Sequence, residues 1–139
     1  MAMKITLKRI DDDFAFETEN EKGNKITLDN SAGEVQKGFT PMELLLAGVG
    51  GCSAIDIVHI LKKQRQEIES FFIEVDGEKE KVEGYSIWRN INIHYHIKGK
   101  VDYEKALRAA ELSHQKYCSV SKTLSHDSNI TFSVTVTNS

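Results

Sequence analysis

Residues 54–61, Ala-Ile-Asp-Ile-Val-His-Ile-Leu, put Ile55, Ile57, Val58, Ile60 and Leu61 on most sides of any helix they form. A helix that is apolar nearly all round belongs in a core. One small sheet gives too little cover, so the run points to a partner subunit lying over it. The helix has a sharp start. Thr40-Pro41-Met42-Glu43 carries an N-cap, proline at the first helical position and glutamate at the third, which is the capping-box signature. Gly48, Gly50 and Gly51 interrupt the helical run beyond Ala47. Each glycine costs about 1 kcal/mol against alanine in a helix interior, so three together mark a kink or a close approach of two backbones. Beyond Lys62 the sequence turns charged, and the helix is expected to end near Ser70.

The remaining pattern is mostly strand. Ile5-Thr6-Leu7 alternates, Phe14–Thr18 follows the acidic turn Asp11–Asp13, and Lys25–Asp29 follows the turn at Lys22-Gly23-Asn24. Residues 31–39 are expected to form a loop. Residues 71–80 and 86–98 are two further strands, the second with Ile87, Arg89, Ile91, Ile93, Tyr95 and Ile97 on one face. Asp102 caps a second helix, with Tyr103, Ala106, Leu107, Ala110, His114 and Tyr117 as its stripe. A short helical turn follows Cys118, and Asn129–Thr137 is a last alternating strand. The expected order is β-β-β-α-β-β-α-β, without repeat or linker. That is one α+β domain over residues 1–139, its two principal helices against a mostly antiparallel sheet.

Composition narrows the function. The 139 residues include 18 basic and 21 acidic ones, giving a net charge of −3 spread along the chain. No basic stripe suits nucleic acid and no polybasic segment suits an anionic membrane. The start, Met1-Ala2-Met3-Lys4-Ile5, has no apolar h-region, and no stretch approaches eighteen apolar residues. The expected compartment is the cytoplasm, where idle thiols stay reduced and a purely structural disulfide is out of place.

The only cysteines, Cys52 and Cys118, lie in two separate helical segments, far from C-x-x-C spacing. Their sulfurs meet only if the fold brings those segments together. A reactive cysteine must be a thiolate, yet a free thiol with a pKa near 8.5 is only a few per cent ionised at pH 7. If the glycines break the helix, Cys52 starts a new one and the backbone dipole favours the anion; if the helix is unbroken, a guanidinium is required. The bland alternative for Cys52 is an inert core residue. His114, four residues before Cys118, could steady a thiolate there, or simply pack beside a small core residue. Asp56 and His59 share a face with Cys52. However, His59 is about 10 Å along the axis and Asp56 is anionic, so both suit a subunit boundary better than a nucleophilic site. A zinc set of Cys52, Cys118, His59 and His114 lacks finger spacing. His94 and His96 suit an exposed edge, and Glu43 has either its capping role or one at the site.

Thr40–Ala47 leading into Gly50-Gly51-Cys52-Ser53-Ala54, with Ala109–Ser121 around the second cysteine, resembles the OsmC/Ohr family (osmotically inducible protein C and organic hydroperoxide resistance proteins) over essentially the whole chain. Pro-Met-Glu followed by Gly-Gly-Cys-Ser-Ala-Ile-Asp is most similar to its YhfA-like branch. The resemblance implies an intertwined homodimer with its helices at the centre and active sites near the subunit boundary. It also implies a cysteine peroxidase that reduces organic hydroperoxides without metal, haem or flavin. Cys52 falls at the attacking position and Cys118 at the resolving one, with an external dithiol as reductant. Two departures stand out. The family's arginine near the first strand turn is replaced by Asp11-Asp12-Asp13, with Arg9 nearest. The family's glutamate ten residues before the attacking cysteine is Met42, beside Glu43. The alternative is a non-catalytic module of the same fold that binds an apolar small molecule in its cleft.

Overall fold

The computed structural model describes residues 2–30, 32, 33 and 35–138. The chain divides into two compact units, Met1–Leu45 and Leu46–Ser139.

The first unit is a small antiparallel sheet of β1 (Thr6–Arg9), β2 (Phe16–Glu19) and β3 (Lys25–Leu28) in that order. Both of its turns are closed by side chains that imitate backbone. The Asp11 carboxylate accepts from the Asp13 and Ala15 amides, and the Asn20 side-chain oxygen accepts from those of Lys22 and Asn24. After β3 the chain returns alongside it, where Phe39 N–H donates to the Thr27 carbonyl and Asp29 N–H donates to that of Phe39. Of the expected loop 31–39, Ser31 and Glu34 lie outside the described residues. Most large apolar side chains here stay exposed, among them Ile5, Leu7, Phe14, Ile26 and Phe39, and Ala15 alone is a buried apolar residue among those described.

Helix α1 (Pro41–Lys63) starts where the capping box places it: Glu43 N–H donates to Thr40 Oγ1, and Thr40 N–H donates back to the Glu43 carboxylate. It then runs without interruption through all three glycines. The break that would have put Cys52 in a first turn is absent, so Cys52 sits about three turns in. Gly50 instead marks a close approach: a Cβ there would lie 2.7 Å from Val75 Cγ2. The helix stops at Lys63 rather than near Ser70. Arg65 takes φ 57°, its N–H donates to Lys62 O, and Gln66 N–H donates to Leu61 O. This is a Schellman cap with arginine where glycine is usual, so the sequence offers no stop signal.

In the second unit, β4 (Glu67–Val82) and β5 (Tyr85–Lys100) form a long antiparallel hairpin, and β6 (Asn129–Asn138) lies parallel to β5. The sheet order β4-β5-β6 makes β5 the central strand, so His94 and His96 are not on an edge. The expected face holds for Ile91, Ile93, Tyr95 and Ile97, but Trp88 is buried in place of Ile87 and Arg89. A register shift at Glu78/Lys79 leaves Arg89 as an extra residue and swaps the faces. Crossing from β5 to β6 are α2 (Tyr103–Leu112), capped by Asp102, a wider π-type turn over Ser113–Tyr117, and α3 (Ser119–Leu124). Val49, Ser53, Ile57 and Leu61 form the buried stripe of α1, while Ile55 on its other side is 72% exposed. By length and composition α1 could cross a membrane: its 18-residue window has mean hydropathy 1.9 and is 28% buried. A search for unbroken runs of large apolar residues misses this stretch because glycine, alanine and cysteine carry much of its apolar average. Core helices of globular proteins meet the same criterion.

Candidate functional site

Cys52 and Cys118 come together. Cys52 is half-buried on α1, and Cys118 is fully buried between the π-type turn and α3. Both are free thiols, and the side chain of Cys118 is within hydrogen-bonding reach of Cys52. The wide turn makes this meeting possible. Cys118 N–H donates to Ser113 O at 2.8 Å, and Cys118 then leaves helical conformation with φ −76° and ψ 101°. An inserted π turn of this kind re-aims the residues after it and is frequent at functional sites. Cys118 Sγ caps α3 by accepting from Ser121 N–H at 3.4 Å. Burial pushes the Cys118 thiol above its ordinary range, and the neighbouring Cys52 adds to this. Hydrogen bonds from the Ser121 hydroxyl and amide pull the other way.

His114 does not pair with Cys118 as its spacing suggests. The wide turn removes the shared face, and the ring turns toward β5 and β6. It stacks on Phe132 with centroids 4.5 Å apart and planes at 6°, and Nε2 lies 2.8 Å from Tyr95 Oη. Tyr95 donates to Ser53 Oγ at 2.6 Å, and Ser53 donates to the Val49 carbonyl at 2.7 Å. Nδ1 of His114 is 3.5 Å from Ser121 Oγ. Burial lowers the affinity of His114 for a proton, partly offset by the charge of Asp56. Burial likewise raises Tyr95 well above the usual phenol range. Asp56 accepts from Ser113 Oγ at 2.8 Å. Sequence reasoning misses Tyr95, Ser53, Ser113 and Ser121 as site residues. The available signal is chemical: a buried phenol needs a partner, and three serines fall on otherwise apolar faces.

Asp56 and His59 line a cavity of about 500 Å³ with Ile60, Lys63, Leu112 and Tyr117. A second, of about 290 Å³, is lined by His114, Ser121, Lys122, Ser125, Ser128 and Asn129. In the first unit, Arg9 Nε donates to the Asp13 carbonyl at 2.9 Å, and Glu43, besides its capping bonds, accepts from Gln36 Nε2 at 3.1 Å. On the sheet, His96 Nε2 is 2.8 Å from the Glu74 carboxylate, and His94 bonds Ser133. Among the described residues no three His, Cys, Asp or Glu side chains gather into a metal-binding group.

The α+β fold thus brings two cysteines from remote elements, both free thiols, to one place. The profile of the OsmC-like protein family matches residues 33–133, and the chain belongs to that family. It is 38% identical to Protein YhfA of Escherichia coli K12 over 122 residues, covering 87% of this chain and 89% of YhfA. A hypothetical protein from Aquifex aeolicus VF5 superposes with a TM-score of 0.87 at 32% identity, covering 100% of this chain and 98% of that one. The organic hydroperoxide resistance protein OhrB of Bacillus subtilis shares the fold, with a TM-score of 0.70 at 21% identity and coverage of 97% and 98%.

Proposed function

We propose that the protein is a thiol-dependent peroxidase that reduces organic hydroperoxides, with Cys52 attacking and Cys118 resolving. The Cys52 thiolate attacks the distal oxygen of ROOH, the O–O bond breaks to give Cys52–SOH, and the alkoxide takes a proton from solvent and leaves as ROH. Cys118 displaces the sulfenic hydroxyl as water and forms the disulfide, and an external dithiol returns both thiols. One observation carries this reading: two cysteines from remote elements face each other as free thiols. One equivalent of cumene hydroperoxide is expected to remove two thiols per chain and yield a Cys52–Cys118 linked peptide. Both thiols free after such treatment would exclude redox function.

The unbroken helix favours a second reading. The dipole acts only within the end turns, so it gives Cys52 nothing, and a chain with an inert Cys52 would be a binding module using the cavity of about 500 Å³ beside Asp56. That reading expects an apolar dye to bind equally in the parent and in Cys52→Ser, with no peroxide consumed.

In either case the working form is a homodimer. Ile55 on α1 is 72% exposed, Phe72 on β4 is 62% exposed, and the apolar side chains of the first sheet lie open. A folded monomer at low micromolar concentration in sedimentation would overturn this.

A further inference from the structure

The hydrogen bonds behind the cysteine pair have a fixed direction. A backbone carbonyl only accepts, so the single Ser53 proton goes to Val49 O. Ser53 must then accept from Tyr95, which uses the only phenolic proton. Tyr95 therefore accepts from His114 Nε2–H, and because burial disfavours the imidazolium the ring is the neutral Nε2–H tautomer with a lone pair on Nδ1. That lone pair faces Ser121 Oγ at 3.5 Å. Cys118 lies against the same residue: its Sγ accepts from the Ser121 amide at 3.4 Å, and the Ser121 hydroxyl favours the thiolate form.

We propose that Ser121 and His114 form a proton relay for Cys118, with Ser121 touching the sulfur and His114 holding the proton through it. The relay rests on the peroxidase reading and concerns its second step. As Cys118 Sγ attacks Cys52–SOH, the S–S bond forms and the S–OH bond breaks. The Cys118 proton passes to Ser121 Oγ and the Ser121 proton passes to His114 Nδ1; the departing hydroxide takes a proton from solvent and leaves as water, and His114 then releases its proton to solvent through the adjoining cavity. Atoms and electrons balance with the hydroperoxide as the only oxidant. The thiol is buried and resists ionisation by itself, so a base at hand matters most at this cysteine. The groups around His114 suit the task. Asp56 on α1 supplies the negative charge that favours a transient imidazolium. Tyr95 on β5 takes the Nε2 proton bond, and β6 presents the flat face of Phe132. Lys122, beyond Ser121, lines the same cavity as His114, which opens a route to solvent.

The test separates the two steps with cumene hydroperoxide on the full chain. Sulfenic acid formation is timed in Cys118→Ser and disulfide formation in the parent, and the readout is the ratio of the two rates across pH. His114→Gln retains an N–H for Tyr95 but has no ring base. It should lower the ratio by about 100-fold near pH 7, with the deficit shrinking as pH rises and the thiol ionises unaided. Ser121→Ala should do the same. An unchanged ratio, or a deficit equal at every pH, would overturn the relay. A parent that consumes no hydroperoxide would overturn the peroxidase reading instead. The relay is then judged, as it is if the variants fail to fold, by ¹⁵N resonances of His114 in the parent at pH 7. These should show neutral Nε2–H with Nδ1 as acceptor, and an Nδ1–H tautomer or an imidazolium would refute it.

Discussion

Gly50 and Gly51 are adjacent in an unbroken helix, yet alanine should act on them in opposite directions. In a helix interior alanine is favoured over glycine by about 1 kcal/mol. At Gly51 nothing of the same chain lies within 4 Å of the added Cβ, so within the subunit Gly51→Ala should stabilise by roughly 0.5–1 kcal/mol. At Gly50 the Cβ would lie 2.7 Å from Val75 Cγ2 and 3.8 Å from Ile73 Cγ2. Val75 is β-branched and stiff about χ1, so α1 or β4 must shift. Overpacking of this kind costs about 1–3 kcal/mol, which outweighs the helix gain and leaves Gly50→Ala destabilised by about 1 kcal/mol. The two variants should therefore differ by roughly 2 kcal/mol. Urea denaturation at one fixed protein concentration measures this as a shift in midpoint with unchanged slope. In a Val75→Ala background the clash is gone, and Gly50→Ala should become neutral or stabilising. If Gly50→Ala matches Gly51→Ala in the parent background, the close approach of α1 to β4 is not what keeps glycine at position 50.

Further outcomes rest on the hydrogen bonds. His114 binds a proton less readily when folded than unfolded, so its contribution is present above its unfolded value near 6.5 and is lost as pH falls below it. His114→Asn should flatten the fall in denaturation midpoint between about pH 7 and pH 5.5, and an equally steep fall in the variant would refute this. Asp11 is held down to about 2, first by its Lys37 partner at 2.7 Å and then by the Asp13 amide, against an ordinary value of 3.8. Its contribution is present above 3.8 and lost as pH falls toward 2, so Lys37→Met should move the Asp11 carboxyl titration, read by NMR, up toward 3.8. Ser113→Ala removes the hydroxyl that donates to Asp56 at 2.8 Å and should destabilise by about 1–3 kcal/mol in the same urea assay; a loss under 0.5 kcal/mol would mean water replaces it.

The parts of the fold legible in the sequence are those set by local chemistry. The Thr40–Glu43 box, the Asp102 cap and the alternation of Ile91 to Ile97 each express one short-range rule, and the structure follows all three. The structure departs from expectation where two rules compete. Three glycines in four positions look like a break, but the helix continues because Gly50 is needed for approach to Val75, a contact with a distant strand. The end at Lys63 is hidden because Arg65 accepts the left-handed conformation usually left to glycine. The face swap at Trp88 accompanies a register shift that alternation alone does not reveal.

The site divides the same way. Cys52 and Cys118 stand out as the only pair of their kind, and their encounter depends on the path of the chain between α2 and α3. A helix of 3.6 residues per turn puts His114 beside Cys118, and the π-type turn breaks that period. The true partner of His114 is Tyr95, which alternation marks only as a core residue. That is right about burial and silent about the hydroxyl. Every polar atom on a buried face must be answered, and with only one proton on each of Ser53 and Tyr95 the answer runs one way, from Val49 O back to the His114 ring. Residues that look like misplaced polar substitutions in an apolar stripe thereby become what orients the ring beside Ser121, which pattern alone assigns to packing.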